Sequence, residues 1–259
     1  MLGPTVKVRM RGNQQRVGSC LPSLCISFVH PPRLLVSRVG GFFMEHTVAM
    51  QRAIALGEKG LGKTAPNPIV GAVIIDAAGN VVGEGFHDRV NSPDHAEVVA
   101  IKAAGDKAKG ATIVVSLEPC NHTGSTGACV QAIIDAGIQT VVFAVADPNE
   151  KAAGGADALR AAGVTVIEGL LKDEAAFSNR AWLMKIKKNR PFFTWKVAAT
   201  LDGKVAAADG TSKWISNETS RGDVQVLRRQ ADAILVGTNT VIADNPHLIP
   251  SGRFCWICN

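Results

Sequence analysis

The chain has 259 residues, 46% hydrophobic and 19% charged, so it can bury one or two cores and is not compositionally disordered. No apolar run reaches the ~20 residues of a membrane-spanning helix, which argues against a membrane partner. The formal charge of +6 suggests nucleic acid only until its distribution is read. Lys7, Arg9, Arg11, Arg16, Arg33 and Arg38 all lie in residues 1–43, which hold no acidic residue. They account for the whole excess, so no basic nucleic-acid face is expected on the core.

Residues 1–43 lack periodic pattern and read as an unstructured leader or a misassigned start ahead of Met44. An organelle transit segment is the alternative, with a weak secretory signal around 20–29 behind it. The expected location is the cytoplasm, or a plastid if the leader is a transit segment. Residues 45–59 then have helical spacing. Val70–Asp76 and Val81–Phe86 read as strands of a hairpin around Ala77-Ala78-Gly79-Asn80. His95–Ala104 reads as a helix stopped by Gly105, and Thr112–Leu117 as a short buried strand. Ala128–Ala136, Thr140–Ala146, Ala156–Ala162 and Val164–Ile167 continue as helix, strand, helix and strand. This alternation implies parallel pairing under covering helices, and with the hairpin it makes a five-stranded mixed sheet.

Glu174–Lys188 reads as one basic helix ended by Asn189-Arg190-Pro191, where a domain boundary is expected. Beyond it, Phe192–Thr200 and Ala233–Val236 read as strands, the second of them buried. Asn217 caps a helix that runs to Gln230, and Gly237–Thr240 is a polar turn at a strand's carboxyl end. The division expected is a leader, 1–43, a first domain, 44–188, and an incomplete second domain, 189–259.

Cysteine placement separates metal from disulfide. Cys20 and Cys25 lie in the leader and Cys255 and Cys258 near the last residue, while Cys120 and Cys129 sit in patterned sequence. This suits a reducing compartment, where closely spaced cysteines bind metal more often than they pair. His95 opens His95-Ala96-Glu97, Cys120 follows Pro119 at a strand's end, and Cys129 begins a helix. One imidazole and two thiolates leave a fourth zinc position open, as in a catalytic site. Glu97 is spare as a ligand and stands where a proton carrier is needed. This is the pattern of zinc deaminases of nucleobase rings. His122 is the alternative fourth ligand, which would close the site and make it structural.

From Met44 to about Pro250 the chain resembles the bifunctional deaminase/reductases of riboflavin biosynthesis. The resemblance rests on Pro66-Asn67-Pro68 with Val70-Gly71, on His95-Ala96-Glu97, on Leu117-Glu118-Pro119-Cys120-Asn121-His122 with Gly124 and Thr126, and on Asp147-Pro148-Asn149. The eight residues between the cysteines are the specific part. The resemblance implies a cytidine-deaminase-like three-layer α/β/α domain with zinc on His95, Cys120 and Cys129. It implies Glu97 as proton shuttle and Asn67 as a pyrimidine contact. The implied partner is a small phosphorylated pyrimidine, with no nucleic acid and no membrane; the oligomeric state, a homo-oligomer included, stays open. Ser125 and Ala128 depart from the family's usual basic residue and proline, which puts the phosphate contact in question.

The second domain resembles the family's NADPH-dependent, dihydrofolate-reductase-like part, over Lys196–Gly203, Ser212–Ile215, Leu227-Arg228, Gly237–Thr240 and Asp244–Pro246. By that resemblance Ala198, Trp214, Thr240 and Asp244 would touch NADP, and Ser212, Arg228 and Leu248 the substrate. The residues after Pro250 do not resemble the family, so the reductase is expected to be incomplete and inactive; NADPH oxidation with the deaminated intermediate would contradict this. Two alternatives stand beside the deaminase reading. A nucleic-acid base deaminase would act on single-stranded DNA or tRNA, and a non-catalytic zinc-stabilised scaffold would hold zinc without releasing ammonia.

Overall fold

The computed structural model describes residues 46–122, 127–150, 152–248 and 256–258. The leader, Gly124, Ser125, Thr126, Cys20, Cys25 and Cys255 lie outside the described residues. The rest divides into two compact units, one of residues 46–193 with 230–233 and one of 194–229 with 234–258.

The first unit is built on one sheet. Strands β1 (Gly71–Ile75) and β2 (Val81–Phe86) form the expected hairpin, and β3 (Thr112–Leu117), β4 (Thr140–Val145) and β5 (Thr165–Glu168) follow by crossovers. The order is β2-β1-β3-β4-β5, with β1 antiparallel to both neighbours and β3, β4 and β5 parallel. The hairpin closes because the Asp76 carboxylate accepts the Ala78 and Asn80 N–H groups at 2.9 and 2.8 Å, an Asx turn of the kind such residues favour. Strands β1, β3 and β4 are rich in Val and Ile and buried almost throughout because both of their faces are covered. Helices α1 (His46–Glu58) and α5 (Lys172–Ser178) lie on one face. Helices α2 (Ala96–Ala104), α3 (Cys129–Asp135) and α4 (Gly155–Ala161) lie on the other. The result is the three-layer, cytidine-deaminase-like architecture expected.

Helix α2 carries His95 and Glu97, and its seat on β2 depends on small residues. At Gly85 a Cβ would overlap the Ala96 carbonyl and lie 2.7 Å from the Ala100 nitrogen. Gly85→Ala must push the helix's first turn off the strand, and is expected to destabilise the fold by about 1–3 kcal/mol, as other overpacked cores do. A thermal midpoint lowered by several degrees checks this, and an unchanged midpoint contradicts it.

Residues 174–188 differ from the single helix expected. The run breaks at Asn179 into α5 and α6 (Arg180–Lys188); the Asn179 side chain is buried and bonded to residue 69 rather than to its own helix.

In the second unit, α7 (Glu218–Gln230) is capped as expected, the Ser220 N–H reaching the Asn217 carboxamide oxygen at 2.9 Å. Phe192–Thr200 is not a strand. Its β-branched and aromatic residues have the propensity, but among the described residues it has no ladder partner to satisfy its backbone. Strand β6 (Leu235–Gly237) starts later than expected, is not buried, and pairs in parallel with β7 (Trp256–Cys258). The turn expected at Gly237–Thr240 is instead the start of helix α8 (Thr238–Asp244).

Candidate metal centre and adjoining cavity

His95 is the N-cap of α2, in extended conformation, and its imidazole is not spent on capping the helix. It is free to point elsewhere. Glu97 sits in the first turn, 3% exposed. Beyond β3 the chain continues as Glu118-Pro119-Cys120, and nine residues later Cys129 opens α3.

The Pro-Cys segment is held by its backbone and by Glu118. The Glu118 N–H donates to the Val145 carbonyl at 2.8 Å. Its carboxylate oxygens accept the Asp147 and Ala156 N–H groups, each at 3.0 Å. One buried carboxylate thus ties the segment to the loop after β4 and to the start of α4, charge-assisted bonds being the stronger kind. Gly155 packs so closely that a Cβ there would overlap the Pro119 carbonyl oxygen. The Cys120 carbonyl accepts the Val130 N–H at 3.3 Å.

His95 Nδ1 lies 3.2 Å from Cys129 Sγ and 3.5 Å from Cys120 Sγ. All three ligand atoms lie within 4.8 Å of one another. A tetrahedral zinc with bonds of about 2.0–2.3 Å sets its ligand atoms roughly 3.5 Å apart, so the donor set fits that ion in type and spacing. Both cysteines are buried and unpaired in any disulfide. The hydrogen bond from the Cys129 thiol lowers Cys120, and that same bond with burial raises Cys129. The hydrogen bond with Cys120 raises His95. A thiolate already favoured between a thiol and an imidazole is a site disposed toward a cation. Burial pushes the Glu97 carboxyl up to about 7, inside the range where a general acid–base works well.

His95 also borders a cavity of about 400 Å³, lined with Asn67, His87, Arg89, Asn91, Ser92 and their neighbours. Of these, the sequence alone pointed only to Asn67 and His95. His87 directly follows β2, is 4% exposed, and stands 5.1 Å from the His95 ring, centroid to centroid. Burial drives its pKa down to about 4, so it is neutral at pH 7. Arg89 is exposed at the cavity. The signal that could have found these residues is a histidine placed directly after a strand and a polar, proline-bearing stretch between it and His95.

His122, the alternative fourth ligand, is exposed and lies outside the cluster. In the second unit, Arg228 Nη1 donates to the His247 carbonyl at 3.0 Å, which brings Arg228 beside the residue preceding Leu248. Trp214 is exposed, with the Arg221 guanidinium 4.4 Å over its ring. Ala198, Ser212 and Asp244 are half-buried and Thr240 is exposed. Among the described residues no helix is long and apolar enough to cross a membrane.

Residues 44–145 match the cytidine and deoxycytidylate deaminase zinc-binding region, and residues 191–252 match the RibD C-terminal domain. The riboflavin biosynthesis protein RibD of Mycobacterium tuberculosis is 52% identical over 201 residues, covering 77% of this chain and 59% of that protein. RibD of Escherichia coli is 46% identical over 206 residues, covering 79% and 56%. Among solved structures, a diaminohydroxyphosphoribosylaminopyrimidine deaminase/5-amino-6-(5-phosphoribosylamino)uracil reductase from Thermotoga maritima superposes with a TM-score of 0.73 at 43% identity, covering 78% of this chain and 58% of that one. RibD of Acinetobacter baumannii gives 0.71 at 44% identity, covering 78% and 57%. The chain therefore spans a little over half the length of the relatives it matches.

Proposed function

The chain belongs to the family of riboflavin-biosynthesis deaminase/reductases, and from that membership we propose that it deaminates 2,5-diamino-6-(5-phosphoribosylamino)pyrimidin-4-one hydrolytically. The product is 5-amino-6-(5-phosphoribosylamino)uracil. The observation that carries this reading is the convergence of His95, Cys120 and Cys129, with buried Glu97 two residues from His95 and the cavity alongside.

His95, Cys120 and Cys129 would hold zinc. Zinc bound there supplies Lewis acidity that makes water nucleophilic near neutral pH. Glu97 takes the proton of the attacking water, gives it to the ring nitrogen, and delivers a second to the departing amine. Water is consumed, one C–N bond breaks, a carbonyl forms and ammonia leaves. Asn67 is the contact for the pyrimidine ring, since a carboxamide offers a donor and an acceptor together. His87, neutral, presents one donor and one acceptor at the cavity wall. Arg89 is the cation the cavity offers to a phosphate.

The domain division we infer is residues 44–188 for the deaminase and 189–259 for the reductase part. In the latter, Ala198, Trp214, Thr240 and Asp244 are the positions for NADP, and Ser212, Arg228 and Leu248 those for its substrate. The metal thiolates fit a reducing compartment such as the cytoplasm.

The test is ammonia release. Zinc-loaded protein is expected to release one ammonia per diaminopyrimidine consumed, with none from cytidine, adenosine or single-stranded DNA. Release from single-stranded DNA or tRNA would turn the reading toward a nucleic-acid deaminase. Bound zinc with no ammonia from any of them would turn it toward a scaffold.

A further inference from the structure

Asn179 lies far in sequence from the cavity, at the break between α5 and α6, and is 5% exposed. Its carboxamide is wholly committed to one residue. The Oδ1 atom accepts the Ile69 N–H at 3.0 Å, and Nδ2 donates to the Ile69 carbonyl at 2.8 Å. Ile69 is itself buried and precedes the paired part of β1. Asn179 thus completes the bonding of a buried backbone unit that would otherwise be left short of partners.

Asn67, which lines the cavity, is two residues from this clamp. On its other side the Asn67 N–H donates to the Thr64 carbonyl at 2.8 Å. One residue beyond Ile69, the Val70 carbonyl accepts the N–H of His87 at 3.0 Å, a second cavity residue. The Gly71 N–H then donates to Ser116 Oγ at 3.1 Å. The Asn67 segment is therefore pinned by a side chain from α5–α6 before it joins the sheet.

We propose that Asn179 is a positioning residue for substrate: by gripping both backbone groups of Ile69 it fixes Asn67 at the cavity wall. The proposal rests on the deaminase reading for the identity of the ligand, and on the two hydrogen bonds for the clamp itself. A planar carboxamide meets a neighbouring N–H and C=O at once with an acceptor and a donor. A carboxylate of the same shape sets an oxygen against the Ile69 carbonyl, and the repulsion opens the grip on Ile69 as a whole, its N–H bond included.

The test is Asn179→Asp in the full chain, read three ways. Amide exchange at Ile69 is expected to accelerate while the Gly71 amide, held by Ser116, stays protected. Bound zinc is expected to stay at one equivalent, with KM for the diaminopyrimidine rising about tenfold, as when a buried partner is removed, and kcat changing less. In an Asn67→Ala background the same substitution should no longer raise KM. Should the aspartate variant not fold, Asn179→Ser, smaller and keeping one hydroxyl, is read by the same measurements. Unchanged exchange at Ile69 overturns the clamp. Faster exchange with unchanged KM, or an undiminished rise in KM without Asn67, overturns the positioning role. A wild-type chain with no turnover overturns the deaminase reading, and the exchange arm still decides the clamp.

Discussion

Replacing Glu97 by Gln is expected to abolish ammonia release, lowering kcat by about 10²–10⁴-fold, the usual contribution of a positioned acid–base group, while one equivalent of zinc stays bound. Glu97 is buried in the first turn of α2, two residues from His95, yet it is not one of the three clustered ligands. A buried carboxylate with no ion pair is costly to keep, and burial has already pushed its carboxyl up to about 7. A structural role would have been served more cheaply by an apolar residue. Gln keeps the size and one hydrogen-bonding oxygen but cannot carry a proton. Zinc content by metal analysis, beside kcat from ammonia release, separates the two functions. Unchanged turnover would end the acid–base assignment, and joint loss of zinc and activity would make Glu97 a support of the metal instead.

How much of this was legible in the sequence depends on where the physics is local. The hairpin announced itself because two strand-like runs flank the short polar turn Ala77-Ala78-Gly79-Asn80. The crossover strands did so because sheets covered on both faces need unbroken apolar runs. His95, Cys120 and Cys129 could be grouped because sulfur and imidazole at the ends of helices and strands have few other uses. What could not be read depended on distant partners. Asn179 breaks a helix for the sake of a backbone 110 residues away, and nothing in Glu174–Lys188 hints at that. Phe192–Thr200 has strand propensity, but a strand exists only with a neighbour. His87 and Arg89 looked like ordinary loop residues because a cavity wall is assembled from separate segments.

Cys129→Ser is expected to remove the metal and the activity together. Cys129 is fully buried at the start of α3, its sulfur 3.2 Å from His95 Nδ1, and its backbone N–H faces Cys120 Sγ at 3.5 Å. A serine hydroxyl is nearly the same size, so the packing survives, but it is not deprotonated by zinc as a thiol is. With two strong donors left, bound zinc should fall well below one equivalent after dialysis against a mild chelator, and ammonia release should fall with it. His122→Ala, at an exposed position outside the cluster, is expected to keep its zinc, and the pair of variants therefore distinguishes a three-ligand from a four-ligand centre. The metal should also hold the fold. A ligand present at a thousand times its dissociation constant contributes about 4 kcal/mol, so chelation should lower the wild-type melting midpoint and leave that of Cys129→Ser nearly unmoved. The reason lies in the topology. The three ligands come from the start of α2, the segment after β3 and the start of α3, and an ion shared among them ties two helices and the end of a strand together at one point. Zinc retained by Cys129→Ser, or a wild-type midpoint indifferent to chelator, would mean that the cluster is a packed corner of the fold and not a metal centre.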